Sequence, residues 1–359
     1  MNVRHLIDLN DFTTADWHRI IRLAQEIMEK PQDYYGTCQG KLMATLFYEP
    51  STRTQMSFQA AMHRLGGSVI GFDNPLNSSV SKGESLADTI RIVSGYTHLV
   101  TIRHPVEGAA QAASRYSSCP VINAGDGGHL HPTQTLTDLV TLTKYKGTLQ
   151  NMTIGLCGDL KNGRTVHSIL KALSRFPNKF ILISTKELAL PAYVKDILNA
   201  SGCPFEEVYS LEEAIPRLDV LYMTRIQKER FSSEEEYERQ KNVYVLDRKK
   251  LLRARADLAV LHPLPRVDEI TPEVDSDPRA LYFEQAKCGM YARMALITCL
   301  LQDDASRSFK EIPLSHPRND IKCTNPKCIT NHEPSLPHTF RENGGMFICE
   351  YCDERMILQ

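Results

Sequence analysis

The sequence predicts two doubly wound α/β domains, each a parallel sheet covered by helices, followed by a small C-terminal β module. Three observations carry this. Short apolar strand patterns alternate with helical ones, the alternation restarts near residue 150, and two close cysteine pairs follow residue 320. A chain of 359 residues is also too long for one small core.

Trp17, Ile20, Ile21, Ala24, Ile27 and Met28 keep helical spacing, and Pro31 closes that segment. Residues 42–47 read as a buried strand, 54–65 as a helix stopped by Gly66-Gly67, and 68–72 as a strand. A helix over 84–95 and a strand over 98–102 follow. The pattern begins again after a helix near 132–145, with strands near 152–157, 179–184, 219–224 and 257–261 and a helix from Gly163 to Phe176. A long apolar helix over 282–301 is expected to pack back on the first domain. The predicted division is 1–135, 136–301, a polar linker over 302–320 that holds Pro313 and Pro317, and a module over 321–359.

Composition narrows the function classes. A hydrophobic fraction of 42% and a charged fraction of 24% fit an ordinary folded protein. The formal net charge of −1 gives no global field toward nucleic acid or an anionic membrane. The N-terminus lacks the apolar run of a secretory signal, and Arg293 interrupts the stretch closest to a membrane span, so the expected location is cytoplasmic. Cys38, Cys119, Cys157, Cys203, Cys288 and Cys299 lie scattered, mostly in apolar surroundings where a free thiol acts as a small hydrophobe.

The candidate site begins at the end of the 42–47 strand. There Glu49-Pro50 leads into Ser51-Thr52-Arg53-Thr54 and a helix, so hydroxyls, backbone amides and a guanidinium converge at a helix N-terminus. Amide donors and the helix dipole favour an anion there, and arginine adds a planar donor fork. Plain N-capping by Ser or Thr is the alternative. Other polar groups fall at strand ends too: Arg103-His104-Pro105, Asn123 to Asp126 after another strand, His131-Pro132-Thr133-Gln134, Arg164, Arg225 and His262-Pro263-Leu264-Pro265-Arg266. Ligands of open α/β sheets bind beyond the carboxyl ends of strands. Taken singly, His131 fits a structural histidine and each arginine a surface ion pair.

These motifs, with Phe47 to Thr54, Ser81-Lys82-Gly83-Glu84, Gly163 to His167 and Met223 to Gln227, together resemble the catalytic chain of aspartate carbamoyltransferases over residues 3–301. The resemblance implies transfer of the carbamoyl group of carbamoyl phosphate to the amine of L-aspartate, the committed step of pyrimidine synthesis. It implies a carbamoyl phosphate-binding domain over 1–135 and an aspartate-binding domain over 136–301. Phosphate contacts would come from Ser51, Thr52, Arg53, Thr54 and Arg103. Arg53 and His131 would touch the carbamoyl oxygen. Gln134 and the backbone of Leu264 and Pro265 would hold the carbamoyl amide, and Arg164, Arg225 and Gln227 would hold aspartate. Lys82 with Ser78 or Ser79 would reach a neighbouring subunit's site, which implies a homotrimer with shared sites and leaves pairing into hexamers open.

The chemistry is consistent with this: amine attack builds negative charge on the carbonyl oxygen, where each preformed donor lowers the barrier by about 3–4 kcal/mol. No cofactor is expected for that step. An ornithine-accepting relative would place a cationic side chain against arginines. A non-catalytic assembly protein would show lost site residues, and none of the expected positions is lost.

Cys323 and Cys328, then Cys349 and Cys352, form two close pairs that can converge on one tetrahedral zinc ion. Two disulfides are the alternative, disfavoured by the expected compartment. Zinc ribbons often bind nucleic acid, but residues 303–359 carry seven Lys or Arg and nine Asp or Glu, a poor footprint for phosphate backbones. The segment resembles the zinc domain of aspartate carbamoyltransferase regulatory chains. Those chains' nucleotide-binding domain has no counterpart in it, so ATP and CTP control is not expected, and the module's expected role is structural or in oligomer assembly.

Overall fold

The structure, a computed structural model, describes residues 5–226, 231, 233–303, 316–318 and 320–357. Gln227 and most of the linker lie outside the described residues. The chain divides into two compact units, Met1–Thr133 with Met290–Gln359, and Gln134–Gly289.

The first unit opens with α1 (Thr14–Glu29), capped by Thr13, whose hydroxyl accepts from Asp16 N while Asp16 accepts from Thr13 N. Its parallel sheet is built from β1 (Leu42–Phe47), β2 (Ser68–Phe72), β3 (Leu99–His104) and β4 (Val121–Asp126). Between them run α2 (Thr52–Arg64), α3 (Leu86–Tyr96) and α4 (Ala109–Tyr116). All pairings are parallel, in the order β2-β1-β3-β4. The direction of winding reverses between β1 and β3, the position at which open α/β sheets bind their ligands. Asn123 to Asp126, expected to follow a strand, form its end. The helix expected over 54–65 starts two residues earlier, at Thr52, which puts Arg53 in its first turn.

The second unit repeats the plan. Its strands are β5 (Thr153–Cys157), β6 (Lys179–Ile183), β7 (Phe205–Val208), β8 (Val220–Met223) and β9 (Ala259–Leu261), parallel in the order β7-β6-β5-β8-β9. Here the reversal falls between β5 and β8. The helices are α5 (Pro132–Lys146), α6 (Arg164–Leu173), α7 (Ala192–Ser201), the short α8 (Leu211–Ala214), α9 (Glu234–Gln240) and α10 (Arg248–Leu251), and the long α11 (Tyr282–Asp303). Both α5 and α11 run through the boundaries of the two units. No helix among the described residues is long and apolar enough to cross a membrane.

The C-terminal segment belongs to the first unit. It forms a three-stranded antiparallel sheet, β10 (Phe340–Asn343), β11 (Met346–Cys349) and β12 (Arg355–Met356). Its apolar residues do not make a separate core. Ile321, Ile329, Phe340 and Tyr351 are buried in one cluster with Ala109, Ala112 and Ala113 of α4. The small alanine face of α4 admits this close packing. Gly108, at the start of α4, has φ of +83°, and a Cβ there would lie 2.6 Å from the Cβ of Tyr351. The backbone pairs as well: Glu107 N donates to Lys327 O and Ile329 N donates to Glu107 O, both at 2.9 Å.

Candidate active site

At the winding reversal of the first unit, Phe47 and Arg103 are register partners on β1 and β3. Ser51 is the N-cap of α2, yet its side chain makes no capping bond; its hydroxyl donates to Thr54 Oγ1 at 3.0 Å. The amides of the first turn are therefore not taken up by a Ser51 cap, which favours an anion site over plain capping. Arg53 lies exposed in that turn, and Arg103 is buried. Arg103 donates to Ala124 O and to Glu49 Oε1, both at 3.3 Å, and its Nε is buried without a protein partner. Burial first, and the positive charge of Arg103 second, hold the Arg53 guanidinium below the usual arginine range. An anion bound near both would offset this unfavourable effect.

His131 is buried beside them. Gly125 separates His131 from Arg103: a Cβ on Gly125 would stand 2.8 Å from Arg103 Nη1 and 3.6 Å from His131 Cδ2, and its φ of +125° suits glycine alone. Thus Ser51, Thr52, Arg53, Thr54, Arg103 and His131 gather at one strand-end cleft. Ser78 and Lys82 belong to short 3-10 turns, with Lys82 exposed and the Ser78 hydroxyl donating locally to Pro75 O at 2.7 Å. Ser79 is exposed.

In the second unit the reversal between β5 and β8 carries the other candidates. Arg164 is the first residue of α6, reached from β5 through a turn in which Asn162 N donates to Asp159 Oδ1 at 2.9 Å. Arg225 follows β8, where Thr224 N donates to Cys157 O at 2.9 Å. Both arginines are half-buried. Gln134 Nε2 donates to Asp138 Oδ1 at 2.8 Å. Asp138 also accepts from Tyr222 OH at 3.1 Å and Gln285 Nε2 at 2.6 Å, and Gln285 Oε1 accepts from His262 N at 3.0 Å. His262 pairs with Glu269 at 2.8 Å and accepts from Leu264 N at 2.7 Å. Leu264 has φ of +55°, and the Leu264–Pro265 bond is cis. This buried chain therefore links Gln134 to the Leu264 turn. Asp138, Tyr222, Gln285 and Glu269 were not singled out from sequence. They are far apart along the chain, and only the fold brings them together.

The four C-terminal cysteines are buried, with sulfurs all within 4.8 Å of one another. Sγ separations of 3.5 Å for Cys323–Cys352 and 3.7 Å for Cys328–Cys349 suit a tetrahedral ion, for which Zn–S bonds of about 2.3 Å set sulfurs about 3.8 Å apart. They far exceed the roughly 2.05 Å of a disulfide. The donor set fits structural zinc.

A second cluster, in which the sequence pointed to Asp126 but not to His129 or Asp353, connects this module to the strand ends of the first unit. Asp126 accepts from Gly108 N at 2.9 Å, Leu130 N at 3.0 Å and Asn123 Nδ2 at 3.2 Å. His129 lies between two carboxylates, Nδ1 at 3.1 Å from Asp126 and Nε2 at 3.1 Å from Asp353. Burial alone would lower its pKa; the two carboxylates outweigh that and raise it to about 10.

Fold and site define a two-unit α/β protein with Arg53 and Arg103 near the start of α2, Arg164 and Arg225 following strands of the second unit, and a four-cysteine zinc module. Residues 4–144 match the family described as aspartate/ornithine carbamoyltransferase, carbamoyl-P binding domain. Residues 150–300 match its Asp/Orn binding domain. Residues 318–357 match the aspartate carbamoyltransferase regulatory chain, metal binding domain. The aspartate carbamoyltransferase catalytic subunit of Clostridium perfringens is 61% identical over 300 residues, covering 83% of this chain and 98% of that protein. The catalytic subunit of M. jannaschii aspartate transcarbamoylase superimposes with a TM-score of 0.80 at 45% identity, covering 85% of this chain and 100% of that one. Aspartate transcarbamoylase from Trypanosoma cruzi, in complex with carbamoyl phosphate and aspartate, gives a TM-score of 0.76 at 38% identity over 82% of this chain and 95% of that one. The chain belongs to the aspartate/ornithine carbamoyltransferase family, and it carries a C-terminal zinc domain of the regulatory-chain type.

Proposed function

We propose that this chain is an aspartate carbamoyltransferase, which joins the carbamoyl group of carbamoyl phosphate to the amine of L-aspartate in pyrimidine synthesis. The observation that carries this is the pair Arg53 and Arg103 at a helix N-terminus left uncapped by Ser51, with buried His131 alongside. Ser51, Thr52, Thr54, Arg53 and Arg103 bind the phosphate. Arg53 and His131 donate to the carbamoyl oxygen. The neutral amine attacks the carbonyl carbon, the new N–C bond forms, the C–O bond to phosphate breaks with the electron pair leaving on phosphate, and the surplus proton of the attacking nitrogen passes to the departing phosphate. Donors aimed at the oxygen stabilise the charge that builds there, and holding both substrates in line supplies the other large contribution.

Gln134 and the backbone of Leu264 and Pro265 hold the carbamoyl amide. Arg164, Arg225 and Gln227 hold the two aspartate carboxylates, a task suited to guanidinium forks. Lys82, with Ser78 or Ser79, serves a neighbouring subunit's site in a homotrimer, in keeping with its exposure on a turn whose hydrogen bonds are local. We assign residues 1–135 to carbamoyl phosphate, 136–301 to aspartate, 302–320 to a linker and 321–359 to zinc, a division that the family matches support in outline. We assign the chain to the cytoplasm, in keeping with four cysteines gathered as a metal site.

Replacing Arg53 with alanine tests the site: turnover of carbamoyl phosphate and aspartate should collapse while the native mass stays unchanged. Wild-type turnover in that variant would refute it.

A further inference from the structure

We infer that the zinc module positions the carbamoyl phosphate half-site of its own chain, through Asp353, His129 and Asp126 on one side and Glu107 on the other. The inference rests on the site proposed above and adds positioning residues to it.

The two catalytic groups Arg103 and His131 sit on the segments 103–108 and 125–131. Neither segment is fixed by the sheet alone, because the register of β3 and β4 shifts between Ile102 and His104. Asp126 ties them together: one carboxylate accepts Gly108 N from the first and Leu130 N from the second. Its neighbour Asn123 accepts Gly125 N at 2.8 Å, which fixes the glycine wedged between Arg103 and His131.

The zinc module holds both segments from outside. Asp353 follows the ligand Cys352 and adopts a φ of +59°. One of its oxygens accepts from Arg341 at 2.7 Å; the other lies 3.1 Å from His129 Nε2. Both ring nitrogens of His129 therefore face carboxylates, and the ring is a rigid bar between Asp353 and Asp126. On the other side, Glu107 pairs by backbone with Lys327 and Ile329, the residues flanking the ligand Cys328, and Asn325 Nδ2 donates to Glu107 Oε2 at 2.7 Å. Gly108 takes the Tyr351 backbone against it with no room for a side chain. The loop at Cys328 thus grips Glu107, and the loop at Cys352 touches both segments, through Tyr351 at Gly108 and Asp353 at His129. A small tilt of either segment would move Arg103 or His131, and displacements of about 1 Å can cost about 100-fold in rate.

The test uses full-length Asp353→Asn, Asp353→Glu, His129→Gln and Asn325→Ala, with zinc content and native mass measured on each. Asp353→Asn and His129→Gln should raise KM for carbamoyl phosphate about 10-fold or more, the scale of lost supporting contacts around a site. KM for aspartate should hold, and Asp353→Glu should recover most of the loss. Inorganic phosphate binding, followed by phosphorus NMR, should weaken by the same factor. Asn325→Ala reports the Glu107 side independently and should shift KM in the same direction. Zinc-loaded variants with wild-type KM and phosphate affinity would overturn the inference. If Arg53→Ala abolishes turnover and these variants do nothing, only this inference falls; if Arg53→Ala is itself harmless, the site assignment falls first.

Discussion

The two half-sites occupy the same topological address and are built differently. Each lies at the reversal of a doubly wound sheet, one between β1 and β3, the other between β5 and β8. In the first unit the cations rest on a helix start and on β3, braced by the zinc module. In the second, a buried polar chain from Gln134 through Asp138, Gln285 and His262 to Glu269 stands behind the candidates. An anion needs converging donors, and a short local motif can supply them. The Gln134 and Leu264 contacts need a side chain and a turn held in register, and that takes partners from distant parts of the chain.

Breaking each half separately sharpens this contrast. The largest effect should come from Arg53→Ala, with kcat falling about 100- to 1,000-fold, the cost of losing one donor to a developing oxyanion. Single-turnover kinetics would locate the loss in the chemical step; a change in KM alone would reassign Arg53 to binding. Next come Arg164→Ala and Arg225→Ala. Each should raise KM for aspartate about 10- to 100-fold, as expected when a charge-assisted hydrogen bond is lost. Carbamoyl phosphate affinity should hold, and equal loss for both substrates would mean the halves are not separable.

Most of the fold was legible because buried parallel strands leave apolar runs that local patterns detect, as in Leu42 to Phe47 and Thr153 to Cys157. The cysteine cluster was legible for a similar reason, because each of its two pairs, Cys323 with Cys328 and Cys349 with Cys352, is close in sequence, and the proposed anion site rests on the contiguous Ser51 to Thr54. The remainder was not. His129, Asp126 and Asp353 form one ionic bridge across 224 positions between His129 and Asp353. Asp138 meets Tyr222 across 84 positions and Gln285 across 147. Asp126 was marked by its strand end, but nothing in a local window marks its partners, because their role comes from tertiary neighbours. The α4 helix was missed too; its alanines match the close approach of the module and lack the bulky stripe of an ordinary buried helix.

Smaller effects test the brace. The pKa of His129 is raised from 6.5 to about 10, so its contribution to stability is fully present below about 6.5 and is lost as pH rises through about 10. The first unit's unfolding temperature should therefore fall between pH 7 and 10, and His129→Gln should flatten that slope. Identical pH profiles for the two proteins would remove the charged bridge from the account. The smallest expected effect is none at all: the segment between the matched regions 150–300 and 318–357 is too short for a nucleotide-binding domain, so CTP and ATP should leave the aspartate saturation curve of the pure protein unchanged. A shift in that curve would reveal a nucleotide site elsewhere.

The central claim is the acceptor specificity of a carbamoyl transfer reaction. The most direct measurement offers the purified protein carbamoyl phosphate with either L-aspartate or L-ornithine and quantifies the carbamoylated product by colorimetry. The account predicts N-carbamoyl-L-aspartate with aspartate and no citrulline with ornithine. Citrulline formation, or no product with aspartate, would contradict it.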